Sequence, residues 1–219
     1  MYSVKEMYYT LQGEGAQAGR AAVFLRFAGC NLWTGREKDR AKAICKFCDT
    51  QFVGTDGERG GKFKSAELLS LKVRQLWQTA TMSIALKGKP YVICTGGEPG
   101  LQLDERLVRA LHADGFEIGI ETNGTVRLVS GIDWICVSPK AGSKLIQTRG
   151  NELKLVYPQE ENKPEDFKYL EFDHFFLSPR DTMFELGWPV DNAQKCVQYC
   201  LEHPQWRLSL QTHKILGLK

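Results

Sequence analysis

Residues 21–50 read AAVFLRFAGCNLWTGREKDRAKAICKFCDT, and this stretch opens a pattern that the rest of the chain repeats. Seven residues of almost unbroken apolar character, AAVFLRF (21–27), run straight into a polar, glycine-punctuated tetrapeptide, AGCN. Downstream, YVICT (91–95) leads into TGGEP, EIGIE (117–121) into ETNG, and IDWICVS (132–138) into SPK. DHFFLS (173–178) leads into SPRD and WRLSLQ (206–211) into QTHK, while ELKLVY (152–157) adds a seventh run. Nearly continuous hydrophobicity is the signature of strands buried on both faces, as in a parallel sheet wrapped by helices. Polar turns collected at the C-terminal ends of parallel strands mark the face on which such folds build their sites.

Helical periodicity appears in SAELLSLKVRQLWQT (65–79) with Ser65 as N-cap, in QLDERLVRALHAD (102–114) stopped by Gly115, and in VDNAQKCVQYCLEH (190–203) stopped before Pro204. The order is β-α-β-α-β and then strands joined by connections too short for full helices. A complete eight-unit barrel needs about 250 residues; this chain has 219. The expected fold is therefore α/β, an abbreviated, partial TIM-like barrel of mostly parallel strands with some helices shortened or missing. The polar stretches 54–62 and 158–166 are loops and not linkers, because strand–helix alternation continues across them. Residues 1–219 are expected to form a single domain.

Composition narrows the partners. Net charge is +3 and the pI about 8.4, with no Lys/Arg block of the kind that follows a phosphate backbone, so no nucleic acid is expected. No apolar run has the length of a signal-peptide core or membrane span, and a cytoplasmic protein without membrane contact is the expectation.

Of the seven cysteines, Cys94, Cys136, Cys196 and Cys200 read as small buried hydrophobes. Cys30, Cys45 and Cys48 remain as a C-x14-C-x2-C set with ligand spacing. Three thiolates are one short of a closed tetrahedral zinc site or a fully Cys-ligated iron–sulfur cube. A fourth zinc ligand is not at hand: none of His112, His174, His203 and His213 has zinc-knuckle spacing. Neither a Walker loop, nor G-x-G-x-x-G, nor H-E-x-x-H occurs.

C-x14-C-x2-C directly after a first strand, with TGGEP after a later one, resembles the radical S-adenosylmethionine (SAM) enzymes. The usual first gap there is three residues; here an insert, about 31–44, lengthens it, and each doubling of a loop costs only about 0.6 kcal/mol. The resemblance implies a [4Fe-4S] cluster on Cys30, Cys45 and Cys48, with SAM on the fourth iron. It also implies SAM contacts from Phe47, Asp49, Gly97, Glu98, Glu121, Asn123, Ser138, Pro139, Lys140, Ser178, Pro179, Arg180 and Asp181. Phe47 would pack beside the adenine, and Glu98 would face the SAM ammonium.

LQGEG followed by G-R-x-A-x-F-x-R-x-x-G-C-N, together with CDT, TGGEP, ETNG, VSPK and QTHK, narrows this likeness from residue 6 to the C-terminus. It resembles the 7-carboxy-7-deazaguanine synthase family. That implies rearrangement of 6-carboxy-5,6,7,8-tetrahydropterin to 7-carboxy-7-deazaguanine with loss of ammonia, in queuosine and 7-deazapurine biosynthesis. A 5′-deoxyadenosyl radical from catalytically used SAM would carry the reaction, so no side chain is assigned as catalytic. The likeness also implies Mg²⁺, at Thr50, a homodimer, and a reducing donor such as flavodoxin or ferredoxin. Implied substrate contacts are Leu11, Gln12, Gly13, Glu14, Arg26, Thr95, Gln211, His213 and the terminal Lys219, where proline is familiar in the family.

Arg26 is a charge inside an apolar strand, expensive unless paired; its partner is either a substrate carboxylate or an internal acid. Two other functions compete with the synthase. One is a radical SAM activase that makes a glycyl radical on a partner protein. The other is a zinc-binding interaction module.

Overall fold

The protein, described from a computed structural model over residues 1–81, 88–181 and 190–219, is organised around one nine-stranded sheet. In chain order the elements are β1 (Tyr2–Leu11), β2 (Ala21–Phe27), β3 (Gly61–Phe63), α1 (Ala66–Ala80), β4 (Tyr91–Gly96), α2 (Glu105–Ala113) and β5 (Glu117–Thr122). There follow β6 (Trp134–Val137), β7 (Arg149–Tyr157), β8 (Glu171–Pro179), α3 (Val190–Glu202), β9 (Trp206–Leu208) and α4 (Thr212–Ile215). Strand order is β3-β1-β2-β4-β5-β6-β7-β8-β9. From β2 to β9 every pairing is parallel, whereas β1 and β3 add on as antiparallel edges. No helix is described between β5 and β6, between β6 and β7, or between β7 and β8 beyond a short 3₁₀ turn, which is the expected abbreviation. No helix among the described residues is long and apolar enough to cross a membrane.

Local chemistry sets the helix limits. Ser65 caps α1 by accepting from the Leu68 amide. α2 starts three residues later than its periodicity predicts, at Glu105, because the Asp104 carboxylate accepts from the Leu107 amide and Pro99–Leu101 forms a 3₁₀ turn ahead of it. Two strands were not visible in the sequence. β1 carries a register shift between Val4 and Glu6, which breaks the period-2 alternation, and β3 is three residues long.

The two faces of the sheet differ. Outward-facing Val23, Leu25, Val92, Cys94, Ile118 and Ile120 pack with α1 and α2 in one apolar core. Leu153, Leu155, Phe175 and Leu177 pack with Cys196 of α3 in another. The inner face holds a small cluster of Ala22, Tyr91 and Ile93 with Phe24, and polar side chains beyond it. The sheet curls around this inner face. In a flat sheet β1 and β7, five strand spacings apart, would lie about 24 Å from each other. Yet the Ala16 amide, just past β1, donates to Glu152 of β7 at 2.8 Å, and the Gly15 amide donates to Ser209, just past β9, at 2.9 Å. The architecture is an open, partial barrel.

Candidate active site

β2 ends at Phe27 and releases the chain into the cysteine loop. The insert is not simply a polar excursion: Leu32 and Trp33 are buried, with Trp33 edge-on to Phe52. The Ile44 and Cys45 amides both donate to the Leu32 carbonyl, at 3.1 and 3.4 Å, so the two ends of the insert are pinned together. Arg40 lies over the Trp33 ring and donates to the Lys46 and Cys48 carbonyls, fixing the backbone of the Cys45–Cys48 pair. This pinning sets Cys45 beside Leu32, two residues from Cys30, although the three sulfurs do not all lie within 4.8 Å of one another and Cys30 lines neither of the two cavities over the strand ends. The two thiols interact, which lowers the Cys48 pKa and raises that of Cys45. Burial, with the charges of Glu98 and Cys48, pushes the Cys30 thiol up.

The glycines of TGGEP meet protein before they meet any ligand. Gly96 has φ +139°, and a Cβ there or on Gly97 would collide with the backbone of Phe27 or Gly29. The Gly97 and Glu98 amides donate to the Phe27 and Gly29 carbonyls, which ties the end of β4 to the start of the cysteine loop. Glu98, expected at a ligand ammonium, is 0% exposed and absent from the cavity wall. Its carboxylate accepts from Thr122 at 2.7 Å and from the Asn123 and Gly100 amides at 2.8 Å, latching β5 to β4 from behind. Burial pushes its pKa up, against those three donors.

Two cavities lie side by side over the C-terminal ends of the strands. The first, about 210 Å³, is lined by Cys45, Phe47, Cys48, Asp49, Gly97, Glu121, Asn123, Ser138, Lys140, Ser178, Pro179 and Asp181. Ten of the thirteen residues assigned to SAM from the sequence are thus brought together (Phe47, Asp49, Gly97, Glu121, Asn123, Ser138, Lys140, Ser178, Pro179, Asp181). Glu98, Pro139 and Arg180 are not on the wall: Pro139 is buried and Arg180 points its backbone at Tyr157 and Asn192. Lys140 donates to Ser138 at 2.6 Å.

The second cavity, about 330 Å³, is lined by Leu11, Gln12, Gly13, Glu14, Arg26, Thr50, Thr95, Gln211, His213 and Lys219, which are all nine substrate-set residues together with Thr50. Glu14, Asp49, Thr50, Glu121 and Gln211 belong to both walls. The C-terminal QTHK walls one side of this cavity by docking on QGEG: Thr212 donates to the Gly13 carbonyl through amide and hydroxyl, and a Cβ on Gly13 would strike His213. Burial lowers the His213 pKa below the usual histidine range. Arg26 already has an internal partner, Glu6, its cross-strand neighbour, at 2.9 Å, and it donates to the Tyr8 hydroxyl at 2.8 Å. Lys219 extends to the same acid, with its ammonium 3.0 Å from Glu6 and over the Tyr8 ring.

Several charged residues of the site were not picked out from the sequence. Lys214 bridges Asp49 at 2.7 Å and Asp181, joining the cysteine loop, β8 and α4. Burial would raise the Asp49 pKa, but hydrogen bonding and charge from Lys214 hold it below the usual range. Lys154, 5% exposed, donates to Glu14 at 2.6 Å and Glu121 at 2.9 Å. Burial opposes charge on Glu14, yet Lys154 keeps it an acid stronger than usual. Lys154 did carry a signal, since it breaks the apolar run of ELKLVY as Arg26 breaks AAVFLRF. Cys136, read as apolar, sits instead with Glu121 and Glu152, the three donor atoms lying within 4.8 Å of one another.

No family model matches the chain. The 7-carboxy-7-deazaguanine synthase of Caulobacter vibrioides is 59% identical over 221 residues, covering 99% of this chain and 99% of that protein. The protein of the same name from Bordetella pertussis is 58% identical over 217 residues, again covering 99% of each. The fold is similar to the crystal structure of QueE from Escherichia coli, with a TM-score of 0.64 at 25% identity over 95% of this chain and 93% of that one. Full-length identity at this level leaves one conclusion: the chain belongs to the 7-carboxy-7-deazaguanine synthase family.

Proposed function

We propose that this chain, as one radical SAM domain over residues 1–219, converts 6-carboxy-5,6,7,8-tetrahydropterin to 7-carboxy-7-deazaguanine with loss of ammonia. The observation that carries this assignment is the pair of adjoining cavities, one walled by Cys45 and Cys48, the other by Gln12, Glu14 and Arg26, with five residues in common. The donor set suits the implied cofactor. Three soft sulfur donors, Cys30, Cys45 and Cys48, stand on one loop, with Cys45 and Cys48 on the wall of the first cavity. When bound, a [4Fe-4S] cluster with SAM on its open iron supplies the radical chemistry.

The side chains have the positioning roles. Gln12 and Glu14 offer an amide and a carboxylate to the donor–acceptor edge of a pterin. Arg26, though paired with Glu6, lies on the cavity wall with guanidinium donors suited to the substrate carboxylate. Thr50, on both walls, offers the hydroxyl oxygen for Mg²⁺, which takes few protein ligands besides water and substrate oxygens. Phe47, Asn123, Ser138 and Lys140 line the SAM side. QTHK, docked on Gly13, walls one side of the pterin cavity. A reducing donor such as flavodoxin or ferredoxin, a homodimer and a cytoplasmic setting complete the proposal.

The test is anaerobic turnover of the reconstituted protein with SAM, a reductant, Mg²⁺ and the carboxytetrahydropterin, read by mass spectrometry. Product in excess of SAM consumed is the expected result. 5′-Deoxyadenosine alone would remove the substrate assignment and return the activase to consideration. A colourless zinc protein would remove both.

A further inference from the structure

β7 places a positive charge deep in the inner face. Lys154 is 5% exposed, between Leu153 and Leu155, whose side chains face the apolar helix layer. Its ammonium meets two acids from opposite sides of the opening: Glu14, on the loop after β1, at 2.6 Å, and Glu121, at the end of β5, at 2.9 Å. Both acids belong to the walls of both cavities. The second oxygen of Glu121 accepts from Gln12 at 3.0 Å. The ammonium therefore grips the two carboxylates that face pterin and SAM sides alike.

In-register pairing explains the crowding. Glu121, Cys136 and Glu152 are cross-strand neighbours on β5, β6 and β7, and Lys154 is one pleat above Glu152 on the same face. Two carboxylates and a thiol at such a point could hold a metal ion, but the ammonium of Lys154 already supplies the cation beside Glu121. Glu152 is further engaged by the Ala16 amide at 2.8 Å.

We propose that Lys154 is a positioning residue for the reaction assigned above. Its ammonium holds the Glu14 and Glu121 carboxylates at a fixed separation, so that they accept hydrogen bonds from the N–H groups of the bound heterocycle and the hydroxyls of the nucleoside. This inference rests on that assignment. Without Lys154, two half-buried carboxylates would face each other with no counter-charge, which favours proton uptake by one of them. A protonated acid no longer accepts from an N–H donor with both oxygens.

The experiment is calorimetric titration of the carboxytetrahydropterin into cluster-loaded protein without reductant, so that no turnover occurs, followed by steady-state kinetics. Other titratable groups facing this network are Glu152, Cys136, His213 and Asp49, and they are unchanged in every variant. Lys154→Met should leave iron content and the visible absorbance untouched. Its pterin affinity should fall about tenfold or more at neutral pH, the cost of a misprotonated acceptor. Affinity should recover as the pH is raised above neutral and the freed acid ionises. Lys154→Arg should restore affinity and a flat profile. Should Lys154→Met not fold, the double variant with Glu121→Gln removes both charges; it should bind weakly at every pH, without the recovery. Wild-type affinity and profile in Lys154→Met, or in the double variant, would overturn the inference while leaving the function standing. Failure of the wild type itself to make the deazaguanine would overturn the function instead.

Discussion

Cys94 and Cys136 are 0% and 1% exposed, on the same sheet, and they live in different chemistries. Cys94 faces outward into the apolar core against α1 and α2, where burial alone pushes its thiol up to about 12. Cys136 faces inward between Glu121 and Glu152, and its thiol is raised by burial together with the adjacent acids. Equal burial thus serves two ends. The outer face is buried to hold the fold, and its chemistry is interchangeable as long as volume is kept. The inner face is buried to hold charges in place, and each group there matters through its partners.

The predictions follow this division. On the inner rim, Cys45→Ala should abolish iron binding and lower product formation more than about a thousandfold, because the cofactor carries the chemistry. The folded fraction should barely change, as circular dichroism would show; an intact cluster with full activity would sink the assignment. On the outer face, Leu153→Ala should cost about 2–5 kcal/mol in urea unfolding, through lost transfer energy and a cavity. Turnover per folded molecule should stay near the wild-type value. Matched serines probe the comparison most directly. Cys94→Ser places a hydroxyl among apolar groups and should cost about 1–3 kcal/mol, while Cys136→Ser gives that hydroxyl two carboxylate acceptors and should be near neutral. If the two midpoints shift equally, the contrast between the faces is wrong.

Smaller effects belong to the C-terminal segment. Lys214→Ala should raise the pterin KM about tenfold by releasing α4 from Asp49 and Asp181, with a stability change of no more than about 1 kcal/mol for so open a pair. The KM change should shrink at high salt, since screening already weakens the wild-type bridge. The smallest effect concerns His213, buried with a lowered pKa. Its unfolded form binds a proton below about pH 6.5 while the folded form resists it. Stability from this group is therefore present above that pH and lost as the pH falls toward the folded pKa. Melting curves should show a slope there that His213→Gln flattens.

Much of the site could be read in advance because it is local. Strand ends, caps and the cysteine spacing are contiguous patterns, and all nine residues expected at the substrate line one cavity. What escaped was non-local. β1 hides behind a register shift, and Glu98 looks like a ligand-facing acid until Thr122 and Asn123 are seen around it. Lys154 finds its acids 140 and 33 residues away. Lys214 finds its own 165 and 33 residues away.

By itself the sequence determined most of the strands and helices, β1, β3 and α4 excepted, which strand ends carry polar chemistry, and which three cysteines have ligand spacing, since each depends on neighbouring residues alone. Only the tertiary structure decided which charges meet. Curling of the sheet brings the loop after β1 onto β5, β7 and β9, and in that dry interior each acid or amine survives only by finding its partner.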